Sequence, residues 1–313
     1  MLISRISSSN SDLQLQKIAF TLRPKVHSPK EIVKLAKSLD SLGVSNVFIP
    51  DIPDGFDSLE ISSAVLSNTE RLYVGSGVIR ALEHEDKLLF RRTQTIQSIS
   101  NNRFVLGVGT GSPGPDPKST IDSVVLKLRT LRERFSGIEH EGVKMPRTFF
   151  ATLKPGIANR VAGSSDGILL NFCSPEYARR LISNYRENFK GETEFACYLK
   201  VFYSQTRERA LRLLVEEFAN YNRIPSYHKM FVLDGIASEI ESAQLRLQSG
   251  KDPDSKSKLF QVSLANPTVD ELKKYVAEFR SAGVSLPCIY PYFSPADDFE
   301  YRSSIVKSIA SAL

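Results

Sequence analysis

The chain has 313 residues, 41% hydrophobic, and three distant cysteines (Cys173, Cys197 and Cys288); it can bury its own core, and a disulfide framework or structural zinc is not expected. The net charge of +6 is scattered over Arg91-Arg92, Arg129 to Arg134 and Arg207 to Arg212, each beside acids such as Glu133 and Glu208, which describes solvated helix faces and argues against nucleic acid. No stretch approaches the roughly 18 apolar residues of a membrane span, and the opening MLISRISSSNSDLQ lacks a secretory core, so a cytoplasmic protein in a reducing compartment is expected.

Strand-length apolar runs recur at 15–22, 44–50, 71–79, 103–109, 148–153, 167–172, 194–203 and 286–292. Most are nearly continuous rather than alternating, as parallel strands covered on both faces must be. Between the first two runs, Ser28-Pro29-Lys30-Glu31 spells a capping box with proline at the first helical position. The apolar face of that helix is Ile32, Leu35, Ala36 and Leu39, and Gly43 ends it. Ser174-Pro175 opens a later helix in the same way. Thr268 to Glu271 repeats the capping box, with Leu272, Tyr275, Val276 and Phe279 facing inward and Gly283 as the stop.

Eight strands alternating with helices predict an α/β fold, a TIM barrel, over residues 1–313 as one domain; an open doubly wound sheet is the structural alternative. Such a barrel needs about 250 residues. The surplus falls at 223–258, a polar stretch with no clear strand, expected to be a helical insertion before strand eight.

In a TIM barrel the chemistry sits at the C-terminal ends of the strands. The segment GVGTGSPGPDP (107–117) places Gly107, Gly109 and Gly111 in alternation, with Thr110 between the last two, so a flat ring or a phosphate can approach the backbone. Residues 109–114 match G-x-G-x-x-G, but the prolines at 113, 115 and 117 prevent an immediate helix, and Arg129 stands where the ribose-binding acid belongs. A Rossmann site is therefore rejected. Gly75 and Gly77 thin the end of strand three, with a helix expected to begin near His84 to Asp86. Lys154-Pro155-Gly156 opens a helix after strand five and offers a phosphate seat, weighed evenly against an ordinary helix start. Asp51, at the end of strand two, either handles a proton or caps the next loop. His84 is expected to be a cap or surface residue, and Cys173 a buried thiol.

RLYVGSGV (71–78), NNRFVLGVGTGSPG (101–114), LGVSNVFIPD (42–51), FSGIEHEG (135–142), KPGIANRVAGSSDGILLNFCSPE (154–176) and NPTVDELKKYVAEFRSAGV (266–284) together resemble the luciferase-like monooxygenase superfamily, which includes the coenzyme F420-dependent reductases. The length and the insertion look most like the methylenetetrahydromethanopterin reductases. The resemblance implies a TIM-like barrel that seats F420, or alternatively FMN, against Ser76, Gly77 and Val78, with a non-prolyl cis peptide at Gly77-Val78. The glycine-thinned segment Gly109, Thr110 and Gly111 and the helix start Lys154, Pro155 and Gly156 are the further cofactor contacts expected, and the resemblance lands on Asp51 as the catalytic acid. It implies hydride transfer, in the finest reading to a pterin-bound one-carbon unit. An FMN-dependent monooxygenase and a non-catalytic binding subunit are the alternatives. The chain departs from the family where Ile52 replaces a histidine and where Thr21 and Ser112 stand in place of acids. The partners expected are a small-molecule substrate and further copies of the chain in a homo-oligomer, with no metal.

Overall fold

Eight parallel strands close on themselves in the computed structural model, which describes residues 17–111, 116–138 and 142–313. Around the wall they run β1 (Ala19–Thr21), β2 (Asn46–Ile49), β3 (Tyr73–Ser76), β5 (Phe104–Gly109), β6 (Arg147–Ala151), β7 (Gly167–Asn171), β8 (Glu194–Phe202) and β10 (Leu286–Tyr292). The barrel closes through β10, whose Cys288 is in register with Ala19 of β1 and with Tyr198 of β8. Two short strands lie off this circuit. The first, β4 (Ile79–Arg80), continues along β5 beyond a break in the third run, and β9 (Leu264–Ala265) pairs with the tip of β8. The eight expected runs are thus the eight barrel strands, with the third interrupted at Gly77-Val78.

The outer layer follows the punctuation of the chain. Helix α1 (Pro29–Ser41) begins with the expected capping box: Ser28 Oγ accepts from the Glu31 amide, and the Glu31 carboxylate accepts from the Ser28 amide at 2.7 Å. The helices that follow are α2 (Ser58–Leu66), α3 (Asp86–Ile99), α4 (Pro117–Ser136), α5 (Pro155–Arg160) and α6 (Pro175–Asn188), the last capped by Ser174. After β8 come α7 (Arg207–Asn222), α8 (Pro225–Asp234), α9 (Ala237–Gln248), the short α10 (Leu259–Val262), α11 (Val269–Ser281) and α12 (Phe299–Ala312). The Thr268–Glu271 box opens α11. The polar stretch at 223–258 is where α8 and α9 lie. Among the described residues, no helix is long and apolar enough to cross a membrane.

Two apolar bodies hold these layers. One fills the space between barrel and helices, and includes the buried faces of α1 and α11. The other fills the barrel itself, where Phe48, Phe149, Tyr198 and Tyr290 pack with Ala19, Ala196 and Cys288. Large rings inside a narrow barrel require neighbours without side chains. A Cβ on Gly167 would lie 2.4 Å from the Phe149 ring, and one on Gly75 would lie 2.7 Å from Phe48. The three cysteines are free and buried.

Candidate active site

The barrel opens at the C-terminal ends of its strands into a cavity of about 840 Å³, within the size range of small-molecule and cofactor sites. One wall carries most of the residues expected from the sequence. Asp51 and Ile52 follow β2, Gly77 and Val78 follow β3, Gly109, Thr110 and Gly111 end β5, and Lys154 follows β6; all line the cavity. The Gly77-Val78 peptide is cis, as expected. The Gly77 carbonyl accepts from the Tyr198 hydroxyl at 3.1 Å, across the barrel. Asp51 Oδ1 accepts from Ser58 Oγ at 3.1 Å, and its Oδ2 lies 3.4 Å from the Arg80 guanidinium. Both oxygens are thus held by positively polarised partners, which fix the carboxylate at the mouth of the cavity.

Other expected contacts lie elsewhere. Ser76 is fully buried in the barrel wall; its hydroxyl donates to the Gly107 carbonyl at 2.9 Å and accepts from the Gly107 amide at 3.0 Å. It staples β3 to β5 and lies outside the cavity lining. Gly107 serves the same seam, since a Cβ there would fall 2.1 Å from the Ser76 carbonyl oxygen. Its lack of a side chain is a packing requirement, which corrects the reading of all three alternating glycines as a ligand face. Pro155 and Gly156 begin α5 outside the cavity lining, leaving Lys154 alone of that trio in the lining. Thr21 contacts Cys288 Sγ within the barrel. His84 is outside the lining, and burial lowers its pKa against the pull of Asp51. Ser112 lies outside the described residues.

The opposite wall holds polar groups that the sequence reading did not single out. Lys200, fully buried in β8, donates from Nζ to Glu217 Oε1 on α7 at 2.6 Å. Glu217 Oε2 accepts from the Tyr292 hydroxyl at 2.7 Å. Arg23, just past β1, lays its guanidinium 4.1 Å from the centre of the Tyr292 ring. Burial lowers the Lys200 pKa. Burial would raise that of Glu217, but Lys200, the Tyr292 hydroxyl and Arg23 outweigh it and hold the carboxyl below its ordinary value. Tyr221, Tyr290 and Tyr292 are each pushed up to about 12 by burial, so they remain protonated donors at neutral pH. Helix α8 adds Tyr227, whose hydroxyl accepts from Asn171 Nδ2 at 2.7 Å. A lysine in the middle of EFACYLKVF was the available sequence signal: a cation in a strand buried on both faces needs a carboxylate, and Glu217 supplies it.

The charges in the lining are unequal. Arg23, Lys25, Lys154 and Lys229 face the cavity against Asp51 and Glu217, and both carboxylates are already partnered. The wall of Gly77, Val78, Gly109 and Ala151 carries no large side chain, and a Cβ on Gly109 would meet Val78 at 2.9 Å. A small-chain wall facing several cations fits a flat, phosphate-bearing ring system such as a flavin or deazaflavin nucleotide.

Residues 13–122 match the model of the luciferase-like monooxygenase family. Three solved structures share the fold at low identity. The coenzyme F420-dependent tetrahydromethanopterin reductase from Methanopyrus kandleri is 15% identical, with a TM-score of 0.67 over 95% of this chain and 98% of its own. An F420-dependent secondary alcohol dehydrogenase, in complex with an F420-acetone adduct, is 14% identical, with a TM-score of 0.73 over 95% and 99%. The oxygenating constituent of 3,6-diketocamphane monooxygenase from Pseudomonas putida, in complex with FMN, is 16% identical, with a TM-score of 0.64 over 95% and 96%.

Proposed function

We propose that this chain, built on the luciferase-like barrel, is an oxidoreductase that binds F420 or FMN at the barrel mouth and transfers a hydride to or from a small molecule. The observation that carries this reading is the cavity itself: a small-chain wall at Gly77-Val78 and Gly109 to Gly111, opposite a polar wall, with Lys25, Lys154 and Lys229 in the lining. The family match over residues 13–122 supports it. The finer reading is a 5,10-methylenetetrahydromethanopterin reductase, supported by the likeness to the Methanopyrus kandleri enzyme. An FMN-dependent monooxygenase is the second reading, supported by the family model and by the FMN-bound neighbour.

A bound flavin or deazaflavin supplies the hydride chemistry. The protein supplies position and protons. Lys154 and Lys25 attract a phosphate, and Ile52, Leu153 and Ile157 exclude water beside the small-chain wall. Asp51, oriented by Ser58 and Arg80, takes up and returns the proton that accompanies hydride transfer.

Titrating the purified protein with F420 and with FMN, followed by fluorescence, separates the cofactors, and micromolar binding of one of them is expected. Absence of binding to both defeats the oxidoreductase reading and leaves a non-catalytic binding subunit. With the cofactor identified, Asp51→Asn is expected to lower turnover about 100-fold while leaving cofactor affinity nearly unchanged. Unchanged turnover removes Asp51 from the mechanism.

A further inference from the structure

We propose that the side of the cavity formed by β1, β8, β10 and α7 is a carboxylate seat anchored by Arg23, so that the substrate is a small organic acid. The proposal rests on the oxidoreductase reading for its chemistry, but its physical grounds are independent of the cofactor.

Arg23 is only 8% exposed, yet it lines the cavity. Its Nε has no hydrogen-bond partner among the described residues. The guanidinium is flanked by two rings, 4.1 Å from the centre of Tyr292 and 5.8 Å from that of Tyr290. Glu217, the carboxylate of this cluster, is already engaged: Oε1 by Lys200 and Oε2 by the Tyr292 hydroxyl. Two cations, Arg23 and Lys200, thus share one carboxylate in a space closed by aromatic rings. An arginine keeps its proton under these conditions, and an uncompensated charge is costly to bury. Apart from the Tyr292 hydroxyl and a Glu217 whose two oxygens are already taken, nothing among the described residues meets this planar fork, and its Nε has no acceptor. A substrate carboxylate matches that fork with two parallel hydrogen bonds and neutralises the cluster. The Tyr290 and Tyr292 rings favour a flat, apolar body behind the acid. Asn171, whose Oδ1 is also buried and unpartnered among the described residues, lines the same cavity from β7.

An anion at Arg23 has two possible sources, the substrate or the cofactor. Lys25 and Lys229 are exposed and Lys154 half-buried, an arrangement suited to the cofactor's phosphate, whereas Arg23 is buried beside the Tyr290 and Tyr292 rings of β10. The structure therefore assigns Arg23 to the substrate.

The test uses the full-length protein and the probe acid 4-hydroxybenzoate, with its neutral amide as control. Calorimetric titration of the wild type is expected to show the acid binding at least about tenfold tighter than the amide. Arg23→Met keeps the aliphatic packing and removes the fork; it is expected to abolish that preference while changing FMN or F420 affinity less than about twofold. Arg23→Lys keeps the charge without the fork and is expected to retain part of the preference. Without ligand, Arg23→Met is expected to melt no lower than the wild type, because it removes an uncompensated charge. Equal binding of acid and amide, or no binding of the acid, overturns the proposal. So does an unchanged preference in Arg23→Met, or an equal loss of cofactor affinity, which would make the anion the cofactor's. A clear fall in melting temperature overturns it as well, because Arg23 would then be structural. Wild type that discriminates acid from amide but binds neither cofactor supports the seat and defeats the oxidoreductase reading.

Discussion

The His27 imidazole lies 3% exposed between Phe293 and Phe299, with ring centroids 6.2 and 6.5 Å away, and its Nδ1 has no partner among the described residues. Burial, reinforced by Arg302, lowers its pKa from 6.5 to about 4. Between those values the unfolded chain holds a proton that the folded chain refuses, so acidification favours unfolding in that window. Folding stability should be undiminished by this group above pH 6.5, fall as pH drops toward 4, and lose up to ~3 kcal/mol. Urea midpoints at steps between pH 7 and 4 check this: His27→Phe, which suits the aromatic surroundings, should flatten the slope. Identical slopes would remove His27 as the cause. At the same scale, Asp51, Gly109 and Lys154 were legible because they stand at strand ends, where the barrel must open. Lys200 and Glu217 were not, because their meaning lies in a meeting of β8 and α7 that no local pattern records. The misread glycine, Gly107, shows the same limit: a missing side chain looks alike in sequence whether it makes room for a ligand or for Ser76.

Helices were the most legible elements, because their ends are written in short-range chemistry. Thr268 and Glu271 exchange hydrogen bonds at the start of α11, and Leu272, Tyr275, Val276 and Phe279 form its buried face. Thr268→Ala should cost about 1 kcal/mol through loss of the cap. It should leave cofactor affinity untouched, because α11 contributes nothing to the cavity lining. Denaturant melts read the first effect and fluorescence titration the second; an affinity loss would show that α11 reaches the site indirectly. The insertion was legible as helical but its role was not. Its α8 brings Tyr227 onto Asn171, and Asp234 at its end accepts from both the amide and the hydroxyl of Ser174. What looked like surplus length is one wall of the cavity, and a polar composition alone cannot separate a roof from a solvated excursion.

For the whole molecule, the net charge of +6 acquires a location. Four cations line the cavity, and three of them, Lys25, Lys154 and Lys229, stand apart from the carboxylate seat proposed at Arg23. Affinity for a phosphate-bearing cofactor should therefore weaken several-fold as salt is raised from about 0.05 to 0.5 M, since the screening length shrinks from more than about 10 Å to a few ångströms. Titrations at the two salt levels check this, and an affinity indifferent to salt would mean that the lining cations do not contribute. The order and number of barrel strands were legible because parallel strands covered on both faces leave continuous apolar runs, and eight such runs close. The division of the cavity has a consequence for how such a protein changes over time. The small-chain wall is drawn from β2 to β6, whereas the opposing wall comes from β7 onward, with Arg23 as its one early contributor. Substitutions in the later half can retune which molecule is admitted without disturbing the half that would hold the reagent. Under the proposed function, reagent and substrate would thus be held by separate stretches of chain, free to diverge at different rates.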